Sequence, residues 1–246
     1  MLSKAQNKYI RSLSQQKYRE EYGVFIVEGD KIALEWLHSS AKVYMIVALQ
    51  TWITQHQSVI AKHSEAELVV AEEHHLEAIS NLKTPNNVLL VVRQPKAEAL
   101  TVVNDWCLVL DDIQDPGNMG TILRIADWFG IKHVLASQGS VDFYNPKVVQ
   151  AAMGAHLRVS MQTTDLQKIL SATNMPVYAA VLNGENIYNM NKPAEGIILI
   201  GNESKGVSAE LQKLATHKMT IPRIGGAESL NAGVSTGIIC ALLIKA

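Results

Sequence analysis

Residues 110–130 read LDDIQDPGNMGTILRIADWFG. The apolar run from Cys107 to Leu110 enters this stretch as a buried strand, and Asp115, Pro116, Gly117 and Asn118 break it. A helical pattern follows, with Ile122, Ile125, Ala126 and Phe129 on one face and Gly130 placed as a stop. Asn118 occupies the expected N-cap, where its side-chain oxygen can accept a backbone N–H. Arg124 lies one turn past Gly120. Helical side chains lean toward the N-terminus, so its guanidinium is expected over the surface that Gly120 leaves bare. A turn of this kind presents an amide and a guanidinium at the C-terminal edge of a sheet, where open α/β folds hold ligands. On its own, the stretch is equally a capped helix with a solvated arginine.

Two later stretches repeat the plan. Residues 197–206, IILIGNESKG, run from an apolar strand into a Gly-rich polar turn carrying Glu203. Residues 221–237, IPRIGGAESLNAGVSTG, place Ser229 and Asn231 before a helix of small residues. The first group is Asn118, Gly120, Arg124 and Ala126, and the second is Gly201-Asn202-Glu203 closed by Gly206. The third is Ile221-Pro222 followed by Ser229-Leu230-Asn231. In this order and spacing they resemble the three motifs of the SPOUT superfamily, and within it the SpoU (TrmH-like) RNA ribose 2′-O-methyltransferases. The resemblance is close over residues 100–246 and looser over residues 1–95.

The resemblance implies S-adenosylmethionine as co-substrate, with no metal, and a C-terminal α/β domain whose parallel sheet ends in a deep trefoil knot. Pattern alone gives an ordinary doubly wound sheet, since knots are essentially absent as a rule. The implied cofactor contacts are Ile200, Gly201, Gly206, Ile221, Pro222 and Leu230, with Leu182-Asn183-Gly184 as a further strand exit. Ile200, Ile221, Pro222 and Leu230 suit an adenine slot, and Gly201 and Gly206 suit close backbone approach; turn geometry alone would also account for such glycines. Arg124 is implied at the ribose 2′-OH. The residues leave open whether it takes the proton or clamps the adjacent phosphate, because a guanidinium is a poor base. Asn118, Glu203, Ser229 and Asn231 complete the implied catalytic set. Family members are homodimers through the C-terminal domain. One departure stands out: the family usually has Val-Ser after the last motif, whereas this chain has Ala232-Gly233.

Working outward, the chain has 246 residues, 48% of them hydrophobic and 18% charged, which is a globular composition. A net charge of −1 supplies no global field for nucleic acid, so attraction to RNA requires a local patch. Cys107 and Cys240 lie far apart, outside any zinc or disulfide pattern, and are expected to fill the core of a cytoplasmic protein. No apolar leader or membrane-length run is present in the sequence. The histidines lack metal-ligand spacing. Neither a phosphate-binding GxxxxGK[ST] nor a dinucleotide-binding GxGxxG after a strand is found, which removes the corresponding nucleotide enzymes.

Residues 3–19 read as one basic helix. Lys4, Lys8 and Arg11 share a face and Arg19 follows, suited to a phosphate backbone, with tyrosines interspersed that can stack on unpaired bases. An ordinary solvated helix gives the same pattern. Strands at 24–27, 43–47, 68–70 and 87–92, with a helix near 51–62 and Asp30 as an N-cap, indicate a small α/β domain. The basic start and FIVEG resemble the ribosomal-protein-like RNA-binding domain found before SpoU catalytic domains. The expected organisation is an RNA substrate-binding domain over 1–95, a linker near 94–101, and the methyltransferase domain over 96–246. Ribosomal RNA is the expected substrate and transfer RNA the alternative. A non-catalytic RNA-binding or assembly protein on the same fold is the rival class, disfavoured by the intact set Asn118, Arg124, Glu203, Ser229 and Asn231.

Overall fold

The computed structural model describes residues 2–95, 105–191 and 193–244. The linker expected at 94–101 falls mostly outside them. In chain order the first elements are α1 (Lys4–Ser12), α2 (Gln16–Tyr22), β1 (Val24–Glu28), α3 (Asp30–His38), β2 (Val43–Leu49), α4 (Gln50–Gln55), α5 (Gln57–Ile60), β3 (Glu67–Ala71), α6 (Glu73–Ile79) and β4 (Val88–Arg93). Then follow β5 (Trp106–Asp111), α7 (Pro116–Trp128), β6 (His133–Ala136), α8 (Pro146–Ala152), β7 (Ser160–Thr163), α9 (Leu166–Ala172), β8 (Val177–Asn186), β9 (Gly196–Gly201), α10 (Ala209–Gln212), β10 (His217–Thr220) and α11 (Ala232–Leu243). They form two compact units. Residues 2–95 group with 142–157, and residues 105–141 group with 158–244.

The first unit is built on a mixed sheet of order β1-β4-β2-β3, with β4 antiparallel to both neighbours and β2 parallel to β3. Strands β1 and β4 are apolar up to their last residues, Glu28 and Arg93, and bury both faces of that run. The helix expected over 3–19 is in fact two. Ser3 opens α1 with a capping box to Gln6, and the chain turns at Leu13, which is fully buried. Arg19 does not join the basic face. It is 1% exposed; Nη1 donates to the Leu13 carbonyl at 2.8 Å, and Nε and Nη2 donate to Asp142 Oδ2 at 2.9 and 2.5 Å. A guanidinium held inside in this way cannot reach a phosphate, so Arg19 is removed from the RNA-contact set. Asp30 is likewise not a cap. Gly29, at φ +108°, takes that position, and the Asp30 carboxylate accepts from Asn87 instead.

Residues 142–157 were expected within the methyltransferase domain, but they pack in the first unit. Tyr144 sits 4.7 Å from the Phe25 ring, and Val149 joins the core of Phe25, Val27 and Trp36. Strand and helix periodicity shows that α8 has an apolar face but not which core receives it.

The second unit has a six-stranded sheet of order β10-β8-β9-β5-β6-β7, with every described pairing parallel. Its central strands β5 and β9 are apolar but for Asp111 at the end of β5, whose carboxylate accepts from Ser208 N–H, and are buried on both sides, as a parallel sheet requires. Cys107 and Cys240 are fully buried, and burial pushes both thiols up to about 12, which makes them inert core residues. After β5 the chain moves to β6 on one side, while β9 and β8 lie on the other. This is the switch point at which neighbouring loops diverge and leave a crevice.

Candidate active site

The loops at the C-terminal ends of β8, β9 and β10 enclose a cavity of about 690 Å³. Leu182 and Asn183 line it from the middle of β8, Ile200, Gly201, Glu203 and Gly206 from β9 and its turn, and Ile221, Pro222, Ser229 and Leu230 from the loop after β10. Gly184 is not among the lining residues. The walls are largely apolar, and Lys205, Lys218 and Arg223 also line the cavity from exposed positions.

Two of the glycines have an internal reason to be glycine. A Cβ on Gly201 would stand 2.1 Å from Gly206 C and Val207 N, and one on Gly184 would stand 2.6 Å from Met219 C. Backbone crosses backbone there, whatever binds. Gly206 is different: no atom crowds it, but its φ of +69° lets the turn reverse and donate from its N–H to Asn202 O at 2.8 Å. Asn202 braces this turn, with Nδ2 donating to the Asp112 carbonyl at 2.8 Å and Oδ1 accepting from Ser204 and Lys205 N–H.

Asp115, not Asn118, caps α7. Its carboxylate accepts from Asn118 N–H at 2.8 Å, with Pro116 in the first turn. An Asp directly before Pro is the cap signal that the sequence carried and the Asn118 expectation overlooked. Asn118 is thereby freed for another role. It is 8% exposed, and its Nδ2 donates to Glu203 Oε1 at 2.7 Å while its Oδ1 accepts from Asn231 Nδ2 at 2.7 Å. Asn231 caps α11, with Oδ1 accepting from Val234 N–H at 3.2 Å. That bond fixes which end of the Asn231 amide donates, and so orients the whole chain Asn231→Asn118→Glu203. One residue from each of the three motif loops is thus tied into a single polarised line that reaches the cavity at Glu203.

Arg124 stands on α7, exposed, with no hydrogen bond or ion pair among the described residues. Ser229 is exposed at the cavity wall. Lys4, Lys8 and Arg11 are exposed on α1 in the first unit. Among the described residues no group of three or more His, Cys, Asp or Glu is placed to hold a metal.

The cavity lies in the size range of small-molecule sites, about 300–1,000 Å³. Its apolar slot, backbone-lined turns and exposed cations fit a nucleoside carrying a charged tail. S-adenosylmethionine is such a molecule.

The comparisons with known proteins agree. Residues 105–241 match the SpoU rRNA methylase family, and residues 4–90 match an MRM3-like substrate-binding domain. The chain is 38% identical to a protein of Porphyromonas gingivalis assigned to the TrmH family of RNA methyltransferases. That structure superposes with a TM-score of 0.87 over 99% of this chain and 98% of the other. An S-adenosylmethionine-bound rRNA methyltransferase from Sinorhizobium meliloti is 26% identical with a TM-score of 0.87, covering 99% and 96% of the two chains. The 23S rRNA (guanosine(2553)-2′-O)-methyltransferase RlmP of Bacillus subtilis is 28% identical over 93% of this chain and 92% of its own. The chain therefore belongs to the SpoU rRNA methylase family and is an S-adenosylmethionine-dependent RNA methyltransferase.

Proposed function

We propose that the enzyme methylates a ribose 2′-OH in ribosomal RNA, and that the line Asn231→Asn118→Glu203 holds its catalytic loops in register. That line carries the reading. A binding protein has no need to lock three loops to one another through oriented side-chain amides, whereas a methyl transfer depends on a precise approach. The relatives' names add support: the RlmP match acts on a guanosine 2′-oxygen of 23S rRNA, and the Sinorhizobium match is an rRNA methyltransferase.

S-adenosylmethionine supplies a methyl already activated on sulfonium. The protein's part is to hold it and to align the hydroxyl. Ile200, Ile221, Pro222 and Leu230 would hold the adenine, and Leu182 and Asn183 line the same cavity. The turn from Gly201 to Gly206 offers backbone groups. Arg124 clamps the phosphate beside the target ribose and steadies the negative charge that develops on the 2′-oxygen as its proton passes to water. It commits no donor inside the protein, so its fork is available for bidentate phosphate contact. Ser229 positions the target nucleotide. Lys4, Lys8 and Arg11 contact the RNA backbone, each such contact releasing counterions.

The same reading assigns the RNA-binding role to residues 1–95, with 142–157 packed among them, and the knotted catalytic role to the remainder of 96–246. It includes a cytoplasmic location and a homodimer through the second unit, whose α7 and α11 carry exposed Trp128 and Val234. No helix among the described residues is long and apolar enough to cross a membrane.

The test is methyl incorporation from labelled S-adenosylmethionine into unmodified ribosomal and transfer RNA, with Arg124→Ala beside the wild type. Label on a ribose 2′-oxygen of ribosomal RNA is expected, falling on the order of 100-fold or more in the variant while cofactor binding persists. Label confined to transfer RNA, or unaffected by the substitution, overturns the substrate or the role of Arg124.

A further inference from the structure

Four tyrosines of the first unit, brought together from α1, α2 and β2, form a continuous aromatic strip with a cation over each end. Tyr18 stacks on Tyr22 with centroids 6.2 Å apart and planes 16° from parallel. Tyr22 meets Tyr9 at 5.2 Å, and Tyr9 meets Tyr44 edge-on at 6.3 Å. The Arg93 guanidinium lies 5.1 Å over Tyr44 and the Lys17 ammonium 5.7 Å over Tyr18. Tyr9 and Tyr18 are the inner members, packed against the core that contains Ile10, Leu13 and Val91. Tyr22 and Tyr44 are the outer members, 40% and 38% exposed.

Each of the two open rings carries an apolar face and a polar hydroxyl, the make-up of a side chain that meets a partner at a half-wet surface. The strip also has polarity in the right places. Lys42 is exposed beside Tyr44, and its carbonyl accepts from Arg93 N–H at 2.9 Å. The acidic side chains of α2 are Glu20 and Glu21, and Glu20 accepts from Gln16 Nε2 at 2.7 Å. Cations at the ends and π-faces between them match the layout of surfaces that hold unpaired nucleic acid: phosphates meet the charges while bases stack on the rings. A duplex hides its base faces and cannot use such a strip.

We propose that Tyr22 and Tyr44, backed by Tyr9 and Tyr18 and flanked by Arg93 and Lys17, form a stacking platform for an unpaired segment of the substrate RNA. This rests on the reading of RNA as substrate and adds that the first unit selects single-stranded over paired RNA.

The experiment measures anisotropy of a labelled short oligouridylate, and of a duplex RNA of equal length, on the full-length protein. Methylation kinetics on ribosomal RNA are followed in parallel. The wild type is expected to bind the single strand more tightly than the duplex. Tyr22→Leu and Tyr44→Leu should each weaken single-strand binding by about tenfold. Tyr22→Phe and Tyr44→Phe, which keep the ring, should bind as the wild type does. In turnover the Leu variants should raise KM for RNA and leave kcat unchanged, with the thermal transition lowered only by the lost ring contacts. Equal affinity of the Leu variants and the wild type, loss of binding in the Phe variants, or a wild-type preference for duplex each overturns the platform. Wild-type methylation of ribosomal RNA with any of these results leaves the proposed function standing. Single-strand binding as expected, with no methylation of any RNA, would count against the function and not the platform.

Discussion

Asn118 shows how one side chain can be misread and still lie at the right place. The sequence put it at a helix start because Asn is a good cap, and the cap is Asp115. The amide has instead one donor to Glu203 and one acceptor for Asn231. Removing it takes one hydrogen bond from half-buried Glu203 and one from exposed Asn231, about 0.5–1.5 kcal/mol each. Asn118→Ala should therefore lower kcat on the order of 100-fold through loop misplacement, while Glu203→Gln, which keeps an acceptor oxygen facing Asn118, should lower it less. Steady-state kinetics with both variants would show this ordering, and a Glu203→Gln loss as deep as that of Asn118→Ala would mean that the carboxylate acts beyond holding Asn118. Arg19 teaches the converse. Its charge and its place near a basic helix say nothing of its burial, and only its fixed bonds to Asp142 and the Leu13 carbonyl reveal a structural role.

At the scale of elements, the crossing of α7 and α11 carries the chain's one departure from the family pattern. A Cβ on Gly233 would come 2.9 Å from Thr121 Cγ2 and 3.2 Å from Asn231 Oδ1. In this chain the Thr121 side chain occupies the space that a Cβ at position 233 would need, so a substitution there presses on both Thr121 and Asn231. Gly233→Ala has two opposing effects on stability: about 1 kcal/mol gained from helix propensity and about 1–3 kcal/mol lost to overpacking. The net change should be small, but activity should fall about tenfold or more as Asn231 is displaced. Thr121→Ser removes the clashing methyl and should restore activity in the double variant; a double variant as impaired as Gly233→Ala would dismiss this account. The elements themselves were largely legible. The apolar runs at 107–110, 134–136, 177–182 and 197–200 lie in strands because a parallel sheet covered on both faces tolerates no polar alternation. The break between α1 and α2 was not legible, since nothing in the local pattern marks Leu13 as the point where the chain turns inward.

For the whole molecule, stability should depend on pH through His156. It is buried, 7% exposed, its Nε2–H donates to the Phe143 carbonyl at 2.8 Å, and Nδ1 has no partner among the described residues. Burial lowers its pKa from the ordinary 6.5, with the Phe143 bond and the Asp142 charge opposing less strongly. Above pH 6.5 both folded and unfolded states hold the ring neutral. As pH falls below that value the unfolded chain takes up a proton that the folded one resists, so stability is lost on acidification. Urea midpoints measured between about pH 8 and 5 should decline for the wild type and decline less steeply for His156→Gln. Parallel slopes for the two proteins would place the acid sensitivity elsewhere.

The sequence by itself determined the two α/β layers, the parallel order of the second sheet's strands as buried apolar runs, and the three polar turns that make the site. Each of these follows from local chemistry: residue period, turn formers and cap-forming side chains act within a few residues of one another. Tertiary structure alone decided that residues 142–157 join the first unit, that Arg19 is buried against Asp142, and that Asn118, Glu203 and Asn231 meet. These facts depend on which surfaces come together across 85 to 123 residues of chain. No local pattern encodes that choice, because burial and hydrogen-bond partners are properties of the packed whole.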